Sequence, residues 1–269
     1  YKVGFRKMLS QAGERTLICA LLPRKSAHIN GVISVAFRNG DYSVDMTAMC
    51  SSIVMDFYMK TVGASNLQSS RMDSFPLVEE KYRKALHART LRLNCVTFRY
   101  ADLWSEVWDV SYKQEQWSIK DKRLAPWDTL TEEWNHDTPL RNYFERRMAL
   151  VEIDVLAAMA LGLTLDELII MYEILFPVLQ QNENDTWYDR HGRIVFTCSK
   201  GLIGVGVDRP TWNHIREMHP GETCAHTLTS ELYAGQTITY EAPFTCCDRV
   251  ADYRTAWVHF DQRFNNCKD

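Results

Sequence analysis

Residues 1–37 read YKVGFRKMLSQAGERTLICALLPRKSAHINGVISVAF, and the spacing of their apolar residues decides the fold class. Tyr1 to Phe5, Thr16 to Leu22 and Val32 to Phe37 are rich in β-branched and aromatic residues, and Gly13, Pro23 and Asn30-Gly31 punctuate them as turns do. A small sheet is expected there. Downstream the period changes: Met46, Met49, Cys50, Ile53, Val54, Phe57 and Tyr58 recur at helical spacing across Met46 to Val62, and Gly63 stands where a helix C-cap lies. Strands followed by helices in separate runs predict an α+β fold rather than an alternating α/β one.

Working outward, a polar loop from Ala64 to Ser74 leads to Phe75-Pro76, and Glu79 to Thr97 has the pattern of another helix. Its Leu86, Leu91, Leu93 and Val96 are apolar, while Lys81, Arg83, Lys84, Arg89 and Arg92 form a basic face suited to phosphates or simply to solvent. The Trp-rich stretch Trp104 to Trp134 has no clear period and reads as irregular structure wrapping a boundary. Leu140 to Leu161 is helical in spacing and closed by Gly162. Thr164-x-x-Glu167 is a capping box for a second helix that Pro177 ends, so the two make a helical hairpin. A DNA reader of the helix-turn-helix type shares that outline, but Leu165 to Ile170 is acidic and apolar, which suits core packing. Trp187-Tyr188 and Arg193 to Thr197 flank a hairpin turn, Gly201, Gly204 and Gly206 suit a tight loop, Thr237 to Tyr240 reads as a last strand and Tyr253 to Phe264 as a last helix. Three segments are expected: a sheet-bearing unit over 1–100, the Trp-rich connection over 101–138, and the hairpin with an α+β C-terminal extension over 139–269.

At 269 residues and 46% hydrophobic content the chain can bury a sizeable core. The most apolar run, Val151 to Leu165, is broken by Glu152 and Asp154, so no membrane partner is expected. The chain begins with Tyr1 and shows no signal peptide, which suggests a piece of a longer chain. None of the eight cysteines forms a Cys-x-x-Cys pair, and several sit among apolar residues, so reduced thiols in the cytoplasm are expected. Cys224, His226, Cys246, Cys247 and Cys267 are the one cluster a zinc ion could use, and their spacing fits no structural zinc pattern; no metal is expected.

Charge is divided along the chain. Residues 1–99 hold fifteen Lys and Arg against seven Asp and Glu, and residues 100–269 hold sixteen against twenty-seven. Either the basic part meets a polyanion, from which it releases counterions, or it packs against the acidic part.

Residues for chemistry are sparse. Neither a nucleotide-binding glycine loop nor an Asn/Asp-Pro-Pro-Tyr tetrapeptide occurs. Asp73, Glu79, Glu80 and Lys81 are the residue types of a metal-dependent nuclease, but they open a helix with no apolar strand beneath, as a charged helix N-terminus does. His214 and His219, five apart, share no helical face well, and no catalytic residues are expected.

Tyr1 to Arg6, Gly13-Glu-Arg-Thr-Leu-Ile18, Ala20-Leu-Leu-Pro23, Cys50 to Phe57, and Gly63 to Leu67 leading to Phe75-Pro76 resemble the target-recognition region of bacterial adenine-specific DNA methyltransferases. The resemblance is to type IIG restriction-modification fusions and to the large methylases of BREX- and DISARM-like phage-defence systems. Arg89 to Asn94, Tyr100 to Trp104, Arg146 to Asp154, Leu161 to Thr164, and Trp187 to Thr197 resemble the C-terminal extension of the same proteins, so nearly the whole chain is covered. The resemblance implies a specificity region that closes over double-stranded DNA opposite a catalytic domain of the same parent chain, where a flipped adenine takes its methyl group from S-adenosylmethionine. No cofactor is expected in this piece, and other defence-system subunits are further expected partners.

For that role the sequence offers Arg6, Lys7, Arg15, Arg24 and Lys25 near the early strands, where a guanidinium can fork onto guanine or phosphate. Asn66 and Gln68 suit adenine, with Ser65, Ser69 and Ser70 beside them for phosphates and Arg71 a further DNA contact. Lys60, Lys81, Lys84 and Arg92 would position rather than specify. Two roles stay open for Arg15, which can instead hold the fold through Glu14 or a backbone carbonyl, and for Asn66, which can cap a turn. The competing reading of the chain is a protein-interaction or scaffold region whose acidic half docks onto partner subunits.

Overall fold

A computed structural model describes residues 1–202, 204–228 and 235–265. It opens with β1 (Lys2–Arg6), β2 (Cys19–Leu22) and β3 (Val32–Val35), an antiparallel sheet in the order β2-β1-β3. Both outer strands oppose β1, with Val3 facing Leu21 on one side and Val35 on the other. The 23–31 connection must therefore travel from the Lys2 end of the sheet to the Arg6 end. It is tied to the sheet by His28 Nε2 against Ser34 Oγ at 2.8 Å. Strand alternation sends Val3, Phe5 and Leu21 into the core.

The helical run expected over 46–62 is two helices, α1 (Gly40–Ser51) and α2 (Ile53–Val62). Ser52 ends one and caps the other: its extended backbone breaks the ladder, and its hydroxyl donates to Met49 O and accepts from Met55 N. Gly63, at φ 68°, closes α2 in the left-handed region, as its position implied. A single turn, α3 (Ser69–Met72), precedes α4 (Glu80–Asn94).

Helix α4 differs most from its sequence expectation. Arg89 and Arg92 are buried, so α4 is a central core helix with only its first turns exposed. Arg89 donates to Glu152, Glu115, Ala85 O and Gln116 O at 2.6–2.9 Å. The Trp-rich connection supplies α5 (Ala101–Val107) and a 3₁₀ turn at Val110–Gln114. Its indoles fix the remaining loops by donating to backbone: Trp104 to Thr131 O, Trp117 to Ala125 O and Trp134 to Cys95 O.

Helix α6 (Tyr143–Ala160) and α7 (Leu165–Leu175) form the expected hairpin, and the capping box of Thr164 and Glu167 is present. Leu168, Ile169 and Tyr172 of α7 face inward. Pro177 ends α7 and also opens α8 (Pro177–Asn184), where its missing N–H costs nothing. Then come β4 (Trp187–Tyr188), β5 (Ile194–Phe196), α9 (Arg209–Ile215), β6 (Thr223–Thr227), β7 (Thr237–Glu241), β8 (Thr245–Cys246) and α10 (Arg249–Phe264). Strand β8 and the earlier start of α10 extend the expected end of the chain. The main core runs from Val3 to Phe260, joining the 1–100, 101–138 and 139–269 segments, with smaller clusters around Trp212 and around Phe144 and Ile194. Among the described residues no helix is long and apolar enough to cross a membrane.

Candidate nucleic-acid interface

At the Arg6 end of the sheet three distant pieces of chain meet. Leu9 N donates to Ser65 O at 2.9 Å and Leu67 N to Lys7 O at 2.8 Å, so 65–67 adds a short antiparallel bridge centred on Met8 and Asn66. On the other side Lys7 N donates to Gly31 O, and Lys7 Nζ to Asn30 Oδ1 at 2.7 Å. Gln11 Nε2 holds Ala64 O from the neighbouring loop. The result is a lip carrying Lys7, Met8, Ile29, Asn30, Ser65 and Asn66, followed by exposed Gln68, Ser69, Ser70 and Arg71.

Alternation places Arg6 on the sheet face away from the core. Its Nη2 donates to Arg15 O and Thr16 O, at 3.1 and 3.4 Å, and its buried Nε has no partner among the described residues. Lys60 donates to Gln11 O and Gly13 O, and burial lowers its pKa. It supports the loop behind the lip. Residues 1–40 contain seven Lys and Arg and one carboxylate, Glu14. Glu14 accepts from Asn182 Nδ2 at 2.5 Å and Ser199 Oγ at 3.2 Å, across a cleft of about 810 Å³. Lys7, Lys25 and Arg71 have no ion-pair partner among the described residues, and Lys25 is held at a positive φ of 62° on the exposed connection.

The other expected contacts lie elsewhere. Arg15 bonds Asp56 Oδ2 at 2.6 Å and the carbonyls of Ser51 and Ser52, pinning the helix break; of its two roles the structure displays the folding one, through Asp56 rather than Glu14. Asp56 also accepts Thr16 N and Leu17 N, which fixes the approach to β2. Arg92 is only 1% exposed. It donates to Thr138 O and Pro126 O beneath the Trp127 ring, where burial brings its pKa down to about 10. With no surface left for a phosphate, Arg92 drops out of the expected positioning set. Arg24 pairs with Asp102 at 3.0 Å and lies over the Tyr1 ring. Lys84 holds Asp109 at 2.7 Å, and its hydrogen bond lowers that carboxyl to about 2. Lys81 bonds Asn265 and lies over the Tyr82 ring.

Among the described residues, the side-chain types for the alternative chemistries are dispersed. Glu79 and Glu80 sit at the start of α4, where Glu80 pairs with Arg83. Cys224 lies on β6, while Cys246 on β8 donates to Glu183 O; Cys267 lies outside the described residues. Among the described residues no three His, Cys, Asp or Glu side chains are grouped to hold a metal, and the seven described cysteines are unpaired.

Met8, Ile29 and Asn30 are the lip residues that sequence reasoning missed as site residues. Asn30-Gly31 was legible as a turn, but nothing local indicated that it returns beside Lys7. No family model, curated protein or solved structure matches this chain.

Proposed function

We propose that the chain is a duplex-DNA recognition region of a cytoplasmic adenine-specific DNA methyltransferase from a restriction-modification or phage-defence system. The observation that carries this reading is the lip itself: Lys7, Asn30, Ser65 and Asn66, far apart in sequence, share one exposed edge with Arg71 close behind. Amides and an ammonium group on an exposed edge suit groove and phosphate contacts, and the cation excess of residues 1–40 suits a polyanion. Methyl transfer and S-adenosylmethionine belong, in this reading, to another part of the parent chain, because the Asn/Asp-Pro-Pro-Tyr tetrapeptide is missing from the sequence. The test is binding of the folded chain to random-sequence duplex DNA across a salt series. A steep negative slope that shrinks in a Lys7→Ala, Asn66→Ala, Arg71→Ala variant with unchanged thermal unfolding supports the reading; salt-insensitive or absent binding rejects it.

Helix α7 favours a second role. Ile170 and Ile174, 52% and 66% exposed, lie one turn apart beside Asp166, Glu167 and Glu173. That face suits a basic, amphipathic partner helix, as a scaffold region would require. A pull-down of defence-system subunits that survives Ile170→Glu, Ile174→Glu substitution would remove it.

A further inference from the structure

We propose that the lip reads an A·T pair from the major groove, with Met8 and Ile29 packed on the thymine methyl group and Asn66 on the adenine edge. The proposal rests on the duplex-recognition reading above and adds a base preference to it.

The arginines expected to read guanine are occupied elsewhere. Arg6 is turned back to the carbonyls of Arg15 and Thr16, Arg15 is bound to Asp56, and Arg24 to Asp102. A guanidinium fork is the usual reader of guanine O6 and N7, and no arginine stands on the lip itself, Arg71 lying behind it. On the lip itself stand two Asn amides, the Ser65 hydroxyl, Lys7 tied to Asn30, and two large apolar side chains, Met8 at 71% and Ile29 at 84% exposure.

Backbone register puts these groups in a row across the strands. Met8 faces Asn66 on one side; on the other, Lys7 N bonds Gly31 O, and the turn closed by Val32 N to Ile29 O brings Ile29 and Asn30 beside it. Thymine alone presents a methyl group in the major groove, and adenine presents the N6 and N7 pair that an Asn amide matches in two bonds. Two exposed apolar side chains beside an amide are complementary to that pair. Charge selects nucleic acid over a protein surface as the occupant: the one carboxylate of residues 1–40, Glu14, is held by Asn182 and Ser199.

The experiment uses the full chain and a random-sequence duplex pool taken through rounds of selection, then remade with deoxyuridine in place of thymidine. Expected are an enriched A·T position and binding weakened about fourfold on loss of the methyl group, the effect of one methylene-sized contact. The Met8→Ala, Ile29→Ala variant, with an unchanged melting curve, should bind both pools alike. Enrichment of G·C positions alone, or equal binding of thymidine and deoxyuridine pools by the unaltered chain, overturns the A·T proposal while duplex recognition stands. A chain that melts normally yet retains no duplex overturns both.

Discussion

Two populations of cations in this molecule have the same residue types and opposite employment. At the sheet end, Lys7 and Arg71 face solvent without carboxylate partners among the described residues. In the helical body, Arg89, Arg147 and Arg249 are buried against Glu115, Glu152, Glu183, Asp154 and Asp252. The first group has its charge available to a ligand; the second has spent it inside the fold. A charge count sums the two, and the division becomes visible only when each guanidinium is followed to its partners.

Breaking the buried group gives the largest effect. Arg89→Met leaves Glu152 and Glu115 in a dry core without this partner and should cost about 3–5 kcal/mol, read as a lower midpoint in urea unfolding. Acid attacks the same network. Burial alone would raise the Glu183 carboxyl, but Arg249 and Arg147 bring it down to about 2 from an ordinary 4.5. Its folded pKa is depressed, so its stabilisation is complete above pH 4.5 and is lost as pH falls towards 2. The full swing is on the order of 3 kcal/mol. Melting temperature against pH should therefore fall through that window, less steeply in Glu183→Gln; identical slopes would remove Glu183 from the network's account.

The intermediate case is Arg15, a cation of the basic segment employed like a core arginine. Arg15→Ala should cost about 1.5–3 kcal/mol, the worth of hydrogen bonds to a charged group, while DNA binding per folded molecule stays unchanged. A binding loss larger than the folding loss would place Arg15 in the exposed population. The smallest effect on stability belongs to Lys7→Ala and Arg71→Ala, each within about 0.5 kcal/mol by chemical unfolding. Each should reduce the salt slope of DNA binding by about one.

Local signals in the sequence suffice where the physics is local. The three strand runs, the Gly63 cap and the Thr164 capping box depend on neighbours within a few residues, and all appear in the structure. The break at Ser52 was hidden because apolar spacing runs through it unbroken. What fixes the break is distant: Arg15 takes the Ser51 and Ser52 carbonyls, and Asp154 takes Ile53 N. Helix α4 misled for the same reason. Its arginines look solvated until Glu115, Glu152 and the Thr138 carbonyl arrive from elsewhere in the chain. The lip was half legible: Lys7 and Asn66 stood out by type, and only the bridge between Met8 and Asn66 explains why they belong together.

Arg89 has a consequence for protein engineering. From α4 it grips Glu115 in the Trp-rich connection and Glu152 in α6, so one guanidinium ties together all three stretches of the chain. A cassette of the first hundred residues grafted onto another scaffold would carry that arginine away from both carboxylates. Under the proposed DNA-recognition reading, specificity would be altered by exchanging the tips around 7–12, 29–31 and 64–71, leaving the body in place.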